Sequence, residues 1–314
     1  MSEHVLRAVA LMGATGCGKS ALALPLAEAA NASIVCCDSM QVYTGLDIGT
    51  AKATKREQAR VPHHLIDCCE LPDAFSAARW ATQAADVIRV ENEAGRVPLI
   101  VGGTGLYLRA LTRGLADIPE VSPAVRQALE QRLQVSGIEA MHAELLTVDA
   151  ATAGRLPDTD TQRIMRALSV YHSSGRPLSA WIGEAPPAPP TEIPVFVLDV
   201  PREVLRLRIA ERFDAMLAAG WLDEVRALQA LHLADTHPVV RAVGYRQLLA
   251  HVRGECPLDE AVRDGITATR HYAKRQVTWF AHQTGDAVRG DAGMLVPLLA
   301  DAIRARLPGA SRSL

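Results

Sequence analysis

Eight consecutive residues near the start of the chain have the types and spacing that bind phosphate groups. The segment Gly13-Ala14-Thr15-Gly16-Cys17-Gly18-Lys19-Ser20 fits the pattern G-x-x-x-x-G-K-[ST]. Its glycines let successive backbone N–H groups curl around a polyphosphate, and a helix starting here directs its positive end at the same anion. Lys19 adds a positive charge, and the Ser20 hydroxyl can bind Mg²⁺. The segment predicts a P-loop, the motif of many ATP-binding and other nucleotide-binding proteins.

Four apolar runs have the length and composition of buried parallel strands, and segments with helical spacing separate the first three. The runs are Val5–Met12, Ser33–Cys37, Val97–Val101 and Ile193–Val200. Strands that alternate with helices predict an α/β fold with a doubly wound parallel sheet of the P-loop NTPase type. Ligands bind at the carboxyl ends of such strands, so we expect the P-loop, Asp38 and Thr104 to surround one pocket.

The middle of the chain has a different pattern and predicts a helical insertion domain over residues 119–190. Helical spacing covers Pro123–Val135, Ile138–Leu146 and Thr161–Ser173, and a proline-rich stretch at 185–190 leads back to the sheet. The core is thus predicted in two parts, 1–118 and 191–314, and the second part is mostly helical from Val200 to Thr284.

The composition narrows the class of protein. The chain has 314 residues, 49% of them hydrophobic, and a net charge of −2, so a surface for nucleic acid must be a local patch. The six cysteines contain no C-x-x-C spacing, which argues against a disulfide framework or a zinc site. No apolar stretch approaches about 20 residues, and no signal-peptide pattern is present. We expect a cytoplasmic protein without a membrane partner, and a monomer.

The turn after the second strand carries two further candidate residues. Asp38 can accept a proton from a nucleophile or hold Mg²⁺ through water, and Gln41 has the donor and acceptor needed to bind a base edge. The structural alternative for Asp38 is an Asx-turn that closes the loop. Similarly, Arg263, Arg270 and Lys274 share one helical face, which can follow RNA phosphates or simply face solvent.

Beyond these residues, an ordered series of segments closely resembles the tRNA isopentenyltransferase family of tRNA dimethylallyltransferases. The segments are the P-loop, Asp38-Ser39-Met40-Gln41-Val42-Tyr43, Pro62-His63-His64-Leu65-Ile66-Asp67, Gly102-Gly103-Thr104-Gly105-Leu106-Tyr107, 160–168, 241–247 and 274–279. Three departures from the family pattern are Ala14 for proline, Ser20 for threonine, and Phe280-Ala281 where an arginine is usual. Because no C-terminal Cys/His zinc finger is seen, we expect the bacterial type.

The resemblance implies that the P-loop, Gly13 to Ser20, holds the diphosphate of dimethylallyl diphosphate, with Mg²⁺ on Ser20. It implies transfer of the dimethylallyl group to the exocyclic amine of the adenosine 3′-adjacent to the anticodon, in tRNAs reading codons that begin with U. Lys19, Asp38 and Thr104 match the catalytic positions: Asp38 is the general base, and Thr104 lines the channel between donor and acceptor. A stacked adenine must be flipped out to reach such a site.

The resemblance also implies a surface for the tRNA anticodon stem-loop. The matching positions are Asp38, Ser39, Met40, Gln41, Thr104, Arg126, Gln162, Arg163, Ile164, Met165, Arg166, Arg241, Gly244, Tyr245, Arg246, Lys274, Arg275 and Gln276. From 241 to 276 the chain has seven basic and four acidic residues, which agrees with such a surface.

Three other functions remain open on the sequence. A small-molecule P-loop kinase would use ATP and need no RNA, a related prenyltransferase would act on a free adenine nucleotide, and an RNA-binding NTPase regulator would not need Asp38 beside the phosphates. The basic segment around Arg241–Arg246 counts against the kinase.

Overall fold

The computed structural model describes residues 5–116, 118–119, 121–184 and 188–307. The chain divides into two compact units, one made of Met1–Thr112 with Pro189–Leu314 and the other of Arg113–Ala188. We call the first the core unit and the second the insertion unit. The predicted insertion domain, 119–190, covers most of the same stretch of chain.

Short strands build the centre of the core unit. They are β1 (Leu6–Arg7), β2 (Val9–Gly13), β3 (Ile34–Cys37), β4 (His63–His64), β5 (Leu99–Gly102), β6 (Thr191–Glu192), β7 (Val195–Leu198) and β8 (Val288–Gly290). Within the described residues, six of them form one sheet in the order β4-β3-β5-β2-β7-β8, and β1 pairs with β6. Every pairing of these strands is parallel.

Helices connect the strands and extend the core unit beyond the sheet. They are α1 (Lys19–Ala29), α2 (Lys55–Arg60), α3 (Ala77–Glu93), α4 (Gly105–Arg113), α9 (Arg202–Ala218), α10 (Trp221–Ala230), α11 (Tyr245–Val252), α12 (Leu258–Gln283) and α13 (Ala292–Arg304). In the insertion unit the helices are α5 (Pro123–Val148), α6 (Ala150–Ala153), α7 (Thr161–Ser174) and α8 (Leu178–Gly183).

Alternating side chains of β2 enter two different hydrophobic cores, one on each face of the sheet. Ala10 and Met12 pack in the core that contains Trp80 of α3, whereas Val9 and Leu11 pack in the core that contains Leu299 of α13. Strands that are buried on both faces need continuous apolar sequence, as the sequence shows. The predicted doubly wound α/β fold is therefore confirmed.

The insertion unit has its own small core. Leu129 and Leu145 of α5 pack there with Ile164 and Leu168 of α7. Ser122 caps the start of α5 through the N–H of Val125, and Gly137, with φ of 73°, breaks the regular helix inside it. The two helices predicted over 123–135 and 138–146 are thus one element with a kink at Gly137.

Some boundaries differ from the sequence-based predictions. The predicted strand Val5–Met12 is two strands, β1 and β2, because the chain leaves one sheet and joins the other at Ala8. The strands β4 and β8 were not predicted, and neither was α13; both strands have only two or three residues, too few to show a period. The predicted linker at 185–190 lies partly outside the described residues.

Candidate active site

The P-loop connects β2 to α1 and places its lysine over its own backbone. Gly18 has φ of 101°, a left-handed conformation that favours glycine, and α1 starts at the next residue. Lys19 Nζ donates hydrogen bonds of 2.8 Å to the carbonyl oxygens of Gly13 and of Ala14. These bonds hold the ammonium group against the loop, where a bound phosphate could replace the two carbonyl oxygens as its partner. The next residue, Ser20, is exposed.

The turns after β3 and β5 lie side by side, as adjacent parallel strands require. The backbone N–H of Thr104 donates to the Cys37 carbonyl oxygen at 3.1 Å. The Thr104 hydroxyl accepts the backbone N–H of Ser39 at 3.0 Å. Ser39 and Thr104 are 65 positions apart in the sequence, yet this bond joins them. It therefore brings together two predicted site residues, Asp38 and Thr104.

Asp38 forms the Asx-turn that was its structural alternative and keeps an oxygen available. Its Oδ1 accepts the backbone N–H of Met40 at 2.9 Å. In the described part of the chain, no hydrogen bond to Oδ2 is found. The turn fixes the direction of the carboxylate, so the two interpretations of Asp38 are compatible.

Two arginines of α9 that the sequence analysis missed extend this site. Arg208 Nη1 donates to the Cys17 carbonyl oxygen in the P-loop at 3.2 Å. One turn later, Arg212 lies close enough to Asp38 to interact with its carboxylate: burial lowers the pKa of the Arg212 guanidinium, and Asp38 opposes that shift. Since an arginine stays protonated at such a shift, Arg212 supplies a half-buried positive charge beside Asp38. The sequence signal that could have revealed them is their spacing: Arg208 and Arg212 are four residues apart and therefore lie on the same face of α9.

Helix α12 contributes a tyrosine that was also missed. Burial raises the pKa of the Tyr272 phenol far above its ordinary value, with a further contribution from the Asp38 carboxylate, while the nearby Thr104 side chain acts in the opposite direction. The Arg275 guanidinium lies 5.7 Å from the centre of the Tyr272 ring. Tyr272 therefore stays a neutral hydrogen-bonding group beside the two catalytic candidates.

Gln41 is held by a loop rather than free at the surface. Its Nε2 donates to the carbonyl oxygens of Thr50 at 3.0 Å and Ala51 at 3.4 Å, and its Oε1 accepts the Cys36 thiol at 3.2 Å. These bonds fix the amide in one orientation. Any base that Gln41 binds must use its remaining lone pair or displace one of these partners.

A carboxylate of α10 anchors that loop. Glu224 accepts the consecutive backbone N–H groups of residues 47, 48 and 49 at 2.6, 2.8 and 3.0 Å. The Tyr245 hydroxyl donates to the same carboxylate at 2.5 Å. On the other side of the loop, buried Lys52 forms ion pairs with Asp47 at 2.7 Å and Asp67 at 2.5 Å.

Most of the predicted tRNA-binding side chains are exposed. In the insertion unit Arg126, Gln162, Arg163 and Arg166 are at the surface, and in the core unit Arg241, Arg246, Lys274 and Arg275 are. Desolvation by the surrounding protein, and then repulsion from Arg126, lowers the pKa of Arg166. Two arginines that repel each other without a carboxylate between them favour binding of an anion.

Four of the predicted tRNA-binding residues are buried. Ile164 and Tyr245 are 0% and 1% exposed, in the cores of their units. Gly244 is buried against Trp221, and Gln276 is 7% exposed.

Other expectations concern metals, cysteines and membranes. Within the described residues, no group of three or more His, Cys, Asp and Glu side chains forms a cage for a metal. All six cysteines are free thiols, and burial raises the pKa of Cys36 and Cys37 well above the ordinary value. In the part of the chain that the structure describes, every helix is too short or too polar to cross a membrane.

Comparisons with known proteins agree with this arrangement. The family model described as IPP transferase matches residues 41–283. The chain is 47% identical to the tRNA dimethylallyltransferase of Syntrophobacter fumaroxidans over 277 residues, which are 88% of this chain and 81% of that protein. A tRNA dimethylallyltransferase of Rhodopseudomonas palustris is 46% identical over 280 residues, 88% of this chain and 85% of that protein.

Solved structures give the same result. The tRNA isopentenylpyrophosphate transferase of Bacillus halodurans aligns with a TM-score of 0.69 and 32% identity, over 98% of both chains. A eukaryotic dimethylallyltransferase described as acting on tRNA aligns with a TM-score of 0.74 and 26% identity, over 91% of this chain and 73% of that one. The fold is that of an α/β transferase with a mostly parallel sheet, and the chain belongs to the IPP transferase family.

Proposed function

We propose that this protein transfers a dimethylallyl group from dimethylallyl diphosphate to the exocyclic amine of the adenosine 3′-adjacent to the anticodon of a tRNA. Membership of the IPP transferase family and the names of relatives near 46% identity support this. The finer features are proposed with it: tRNAs that read codons beginning with U, dependence on Mg²⁺, and a monomer in the cytoplasm.

One observation carries the proposal. Asp38 lies next to Ser39, whose backbone N–H donates to the Thr104 hydroxyl at 3.0 Å, and its carboxylate acts on the guanidinium of Arg212. An RNA-binding NTPase regulator needs the loop and its cations, but a transfer reaction also needs a base near the leaving group. The neighbourhood of Asp38 meets that requirement.

The leaving group is the first demand of the chemistry. When the bond from the allylic carbon to the diphosphate oxygen breaks, its electron pair stays on the diphosphate, and negative charge builds up there. Lys19, Arg212 and those backbone N–H groups of 13–20 that have no partner in the protein, unlike those of Thr15 and Cys17, are available to stabilise that charge. Lys19 exchanges its two carbonyl partners for phosphate oxygens, so its ammonium remains fully hydrogen-bonded.

The nucleophile is the second demand. The exocyclic nitrogen forms a new bond to the allylic carbon and becomes positively charged, so it must lose a proton. Asp38 accepts that proton through the oxygen that Met40 does not occupy. Thr104 and Tyr272 flank the path between donor and acceptor, and Tyr272 stays protonated there.

Magnesium is compatible with the donor set. The exposed Ser20 hydroxyl is the protein ligand, and because the described residues offer no carboxylate cage, the ion would take its other ligands from diphosphate and water. Bound there, Mg²⁺ neutralises part of the diphosphate charge.

The RNA must supply the energy that flips the adenine. Unstacking a base costs a few kcal/mol, and contacts along the anticodon arm offset that cost. The exposed cations Arg126 and Arg166 of the insertion unit, and Arg241, Arg246 and Lys274 of the core unit, are suited to phosphate contacts.

A transfer assay tests the proposal. Purified protein is mixed with Mg²⁺, labelled dimethylallyl diphosphate and bacterial tRNA that lacks the modification, and label in precipitated RNA is counted. We expect incorporation that EDTA abolishes and that Asp38→Asn reduces about 10²- to 10⁴-fold. The Asp86→Asn variant, which removes an exposed carboxylate paired with Arg89, serves as the control and retains activity. ATP turnover on a small acceptor without labelled RNA would contradict the proposal.

A further inference from the structure

Three residues of α12 rest on the short turn that carries Thr104. Tyr272 lies close enough to Thr104 for the two side chains to interact, and the Gln276 side chain donates to the Gly103 carbonyl oxygen at 2.9 Å. The ring of Trp279 is so near Gly105 that a Cβ there would lie 2.3 Å from it. The three contacts recur at the spacing of one helix face, so the position of this turn is set by α12.

Gln276 alone among them also reaches the P-loop. Its Oε1 accepts the backbone N–H of Thr15 at 2.8 Å, while its Nε2 donates to Gly103. A Cβ on residue 103 would lie 2.3 Å from Nε2, so the backbone at Gly103 can approach the Gln276 amide this closely only because residue 103 is a glycine. One buried amide therefore links the diphosphate loop to the turn of Thr104.

This link spans the two halves of the reaction. The P-loop holds its own shape through the bonds of Lys19 to Gly13 and Ala14, and the Thr104 turn is tied to Ser39 and hence to Asp38. The Lys19 bonds act within the P-loop, and the Thr104–Ser39 bond acts within the two turns. Neither therefore fixes the distance between a diphosphate in the P-loop and the proposed base, Asp38. In transfer reactions an error of about 1 Å in that distance costs about 10²-fold in rate.

On the basis of the proposed function, we propose that Gln276 is a positioning residue that holds the diphosphate loop at the distance from Thr104 and Asp38 that the transfer step needs. It acts through backbone groups and does not touch tRNA. Its neighbours Lys274 and Arg275 are exposed and, within the described residues, free of salt bridges, so they are the part of this segment that meets RNA. The same short segment thus serves two purposes on two faces of α12.

The test separates positioning from RNA binding by its kinetic signature. Gln276→Met keeps the size of the side chain and removes both hydrogen bonds, and Lys274→Met removes a charge two residues away. We expect Gln276→Met to lower kcat about 10- to 100-fold, with KM for tRNA and Kd for inorganic diphosphate changed by less than about threefold. Lys274→Met shows the opposite pattern, a raised KM for tRNA with kcat nearly unchanged.

Two controls complete the experiment. Gln58→Met makes the same substitution at an amide that donates to the Ala53 carbonyl oxygen at 2.7 Å, away from the site, and leaves all three constants unchanged. If Gln276→Met does not fold, as judged by thermal melting, Gln276→Glu replaces it. The glutamate retains the acceptor for Thr15 but places a carboxylate oxygen against the Gly103 carbonyl, and kcat again falls without a change in KM for tRNA.

The outcomes distinguish this inference from the function on which it rests. Wild-type protein that fails to label tRNA refutes the proposed function. Wild-type protein that labels tRNA, combined with a Gln276→Met variant that has normal kcat or a raised KM for tRNA, overturns the positioning role alone.

Discussion

The hydroxyl of Thr104, at the end of β5, accepts the backbone N–H of Ser39, at the end of β3, at 3.0 Å. This bond joins the two turns at the carboxyl edge of the sheet and fixes the start of the Asx-turn in which Asp38 lies. Thr104 is therefore more than a wall of the substrate channel, because it sets the direction of the proposed base.

Thr104→Val tests that relationship. The valine has nearly the same shape but no acceptor, so the Ser39 N–H loses its partner and the Asp38 turn loosens. We expect kcat for tRNA prenylation to fall about 10²-fold. Thr104→Ser retains the hydroxyl and keeps most of the activity; a loss in Thr104→Ser together with normal kcat in Thr104→Val would show that the methyl group, not the hydrogen bond, matters.

Arg212 is expected to be essential for stabilising the leaving diphosphate. Arg212→Met removes a half-buried cation beside Asp38, and we expect kcat to fall about 10²- to 10³-fold, as for loss of one preorganised donor. The matched control on α9 is Arg206→Met, an exposed arginine that retains activity within about twofold. Normal single-turnover rates in Arg212→Met would exclude this role.

Glu224 is expected to stabilise both the fold and the Gln41 loop. Glu224→Gln weakens charge-assisted bonds to three backbone N–H groups, so urea unfolding should show a loss of about 1 to 3 kcal/mol. Asp223→Asn, at a side chain that is 79% exposed and paired with Arg226, should change stability by less than about 0.5 kcal/mol. Equal losses in the two variants would argue against the anchoring role.

Glu91 should give the stability of the core unit a defined acid dependence. Hydrogen bonds from Arg96, helped by Ser33, lower the pKa of this buried carboxyl, despite its burial. Its stabilising contribution is therefore complete above the unfolded-state pKa of about 4.3 and is lost as the pH falls through the lower folded-state pKa.

The corresponding measurement compares wild type with Glu91→Gln in urea at several pH values. We expect the wild type to be more stable by about 1 to 3 kcal/mol at pH 7, and the difference to shrink below about pH 4. Glu93→Gln, at an exposed position on the same helix, gives no pH-dependent difference. A gap that is constant from pH 7 to pH 3 would refute the assigned shift.

A site residue can be predicted from this sequence when it belongs to a local motif, and it is missed when only tertiary packing brings it to the site. The P-loop, Asp38 and Thr104 stand next to apolar strands, so topology alone places them together. Arg212 and Tyr272 lie inside long helices whose charged and aromatic residues have several possible faces, and only packing decides which face meets β3. The family resemblance places Gln276 in a segment expected to bind RNA, but it does not predict its hydrogen bonds to Thr15 and Gly103, which join segments that are far apart in sequence.

The fold shows the same division. The central strands are continuous apolar runs, and helices such as α3 and α7 have a clear helical period. In contrast, β4 and β8 are edge strands of only two and three residues, and they are defined by the strands that they pair with. The break between β1 and β2 at Ala8 follows Arg7, a single charged residue in a segment that is otherwise apolar from Val5 to Met12, so the segment was predicted as one strand.

The most direct test of the proposed reaction uses two synthetic anticodon stem-loops that differ by one group. In the first, the nucleoside on the 3′ side of the anticodon is adenosine; in the second it is purine riboside, which lacks only the exocyclic amine. With labelled dimethylallyl diphosphate and Mg²⁺, we expect label in the first RNA, with one diphosphate released for each group transferred, and none in the second. Equal labelling of both RNAs, or diphosphate release without label in the adenosine RNA, would contradict transfer to that amine.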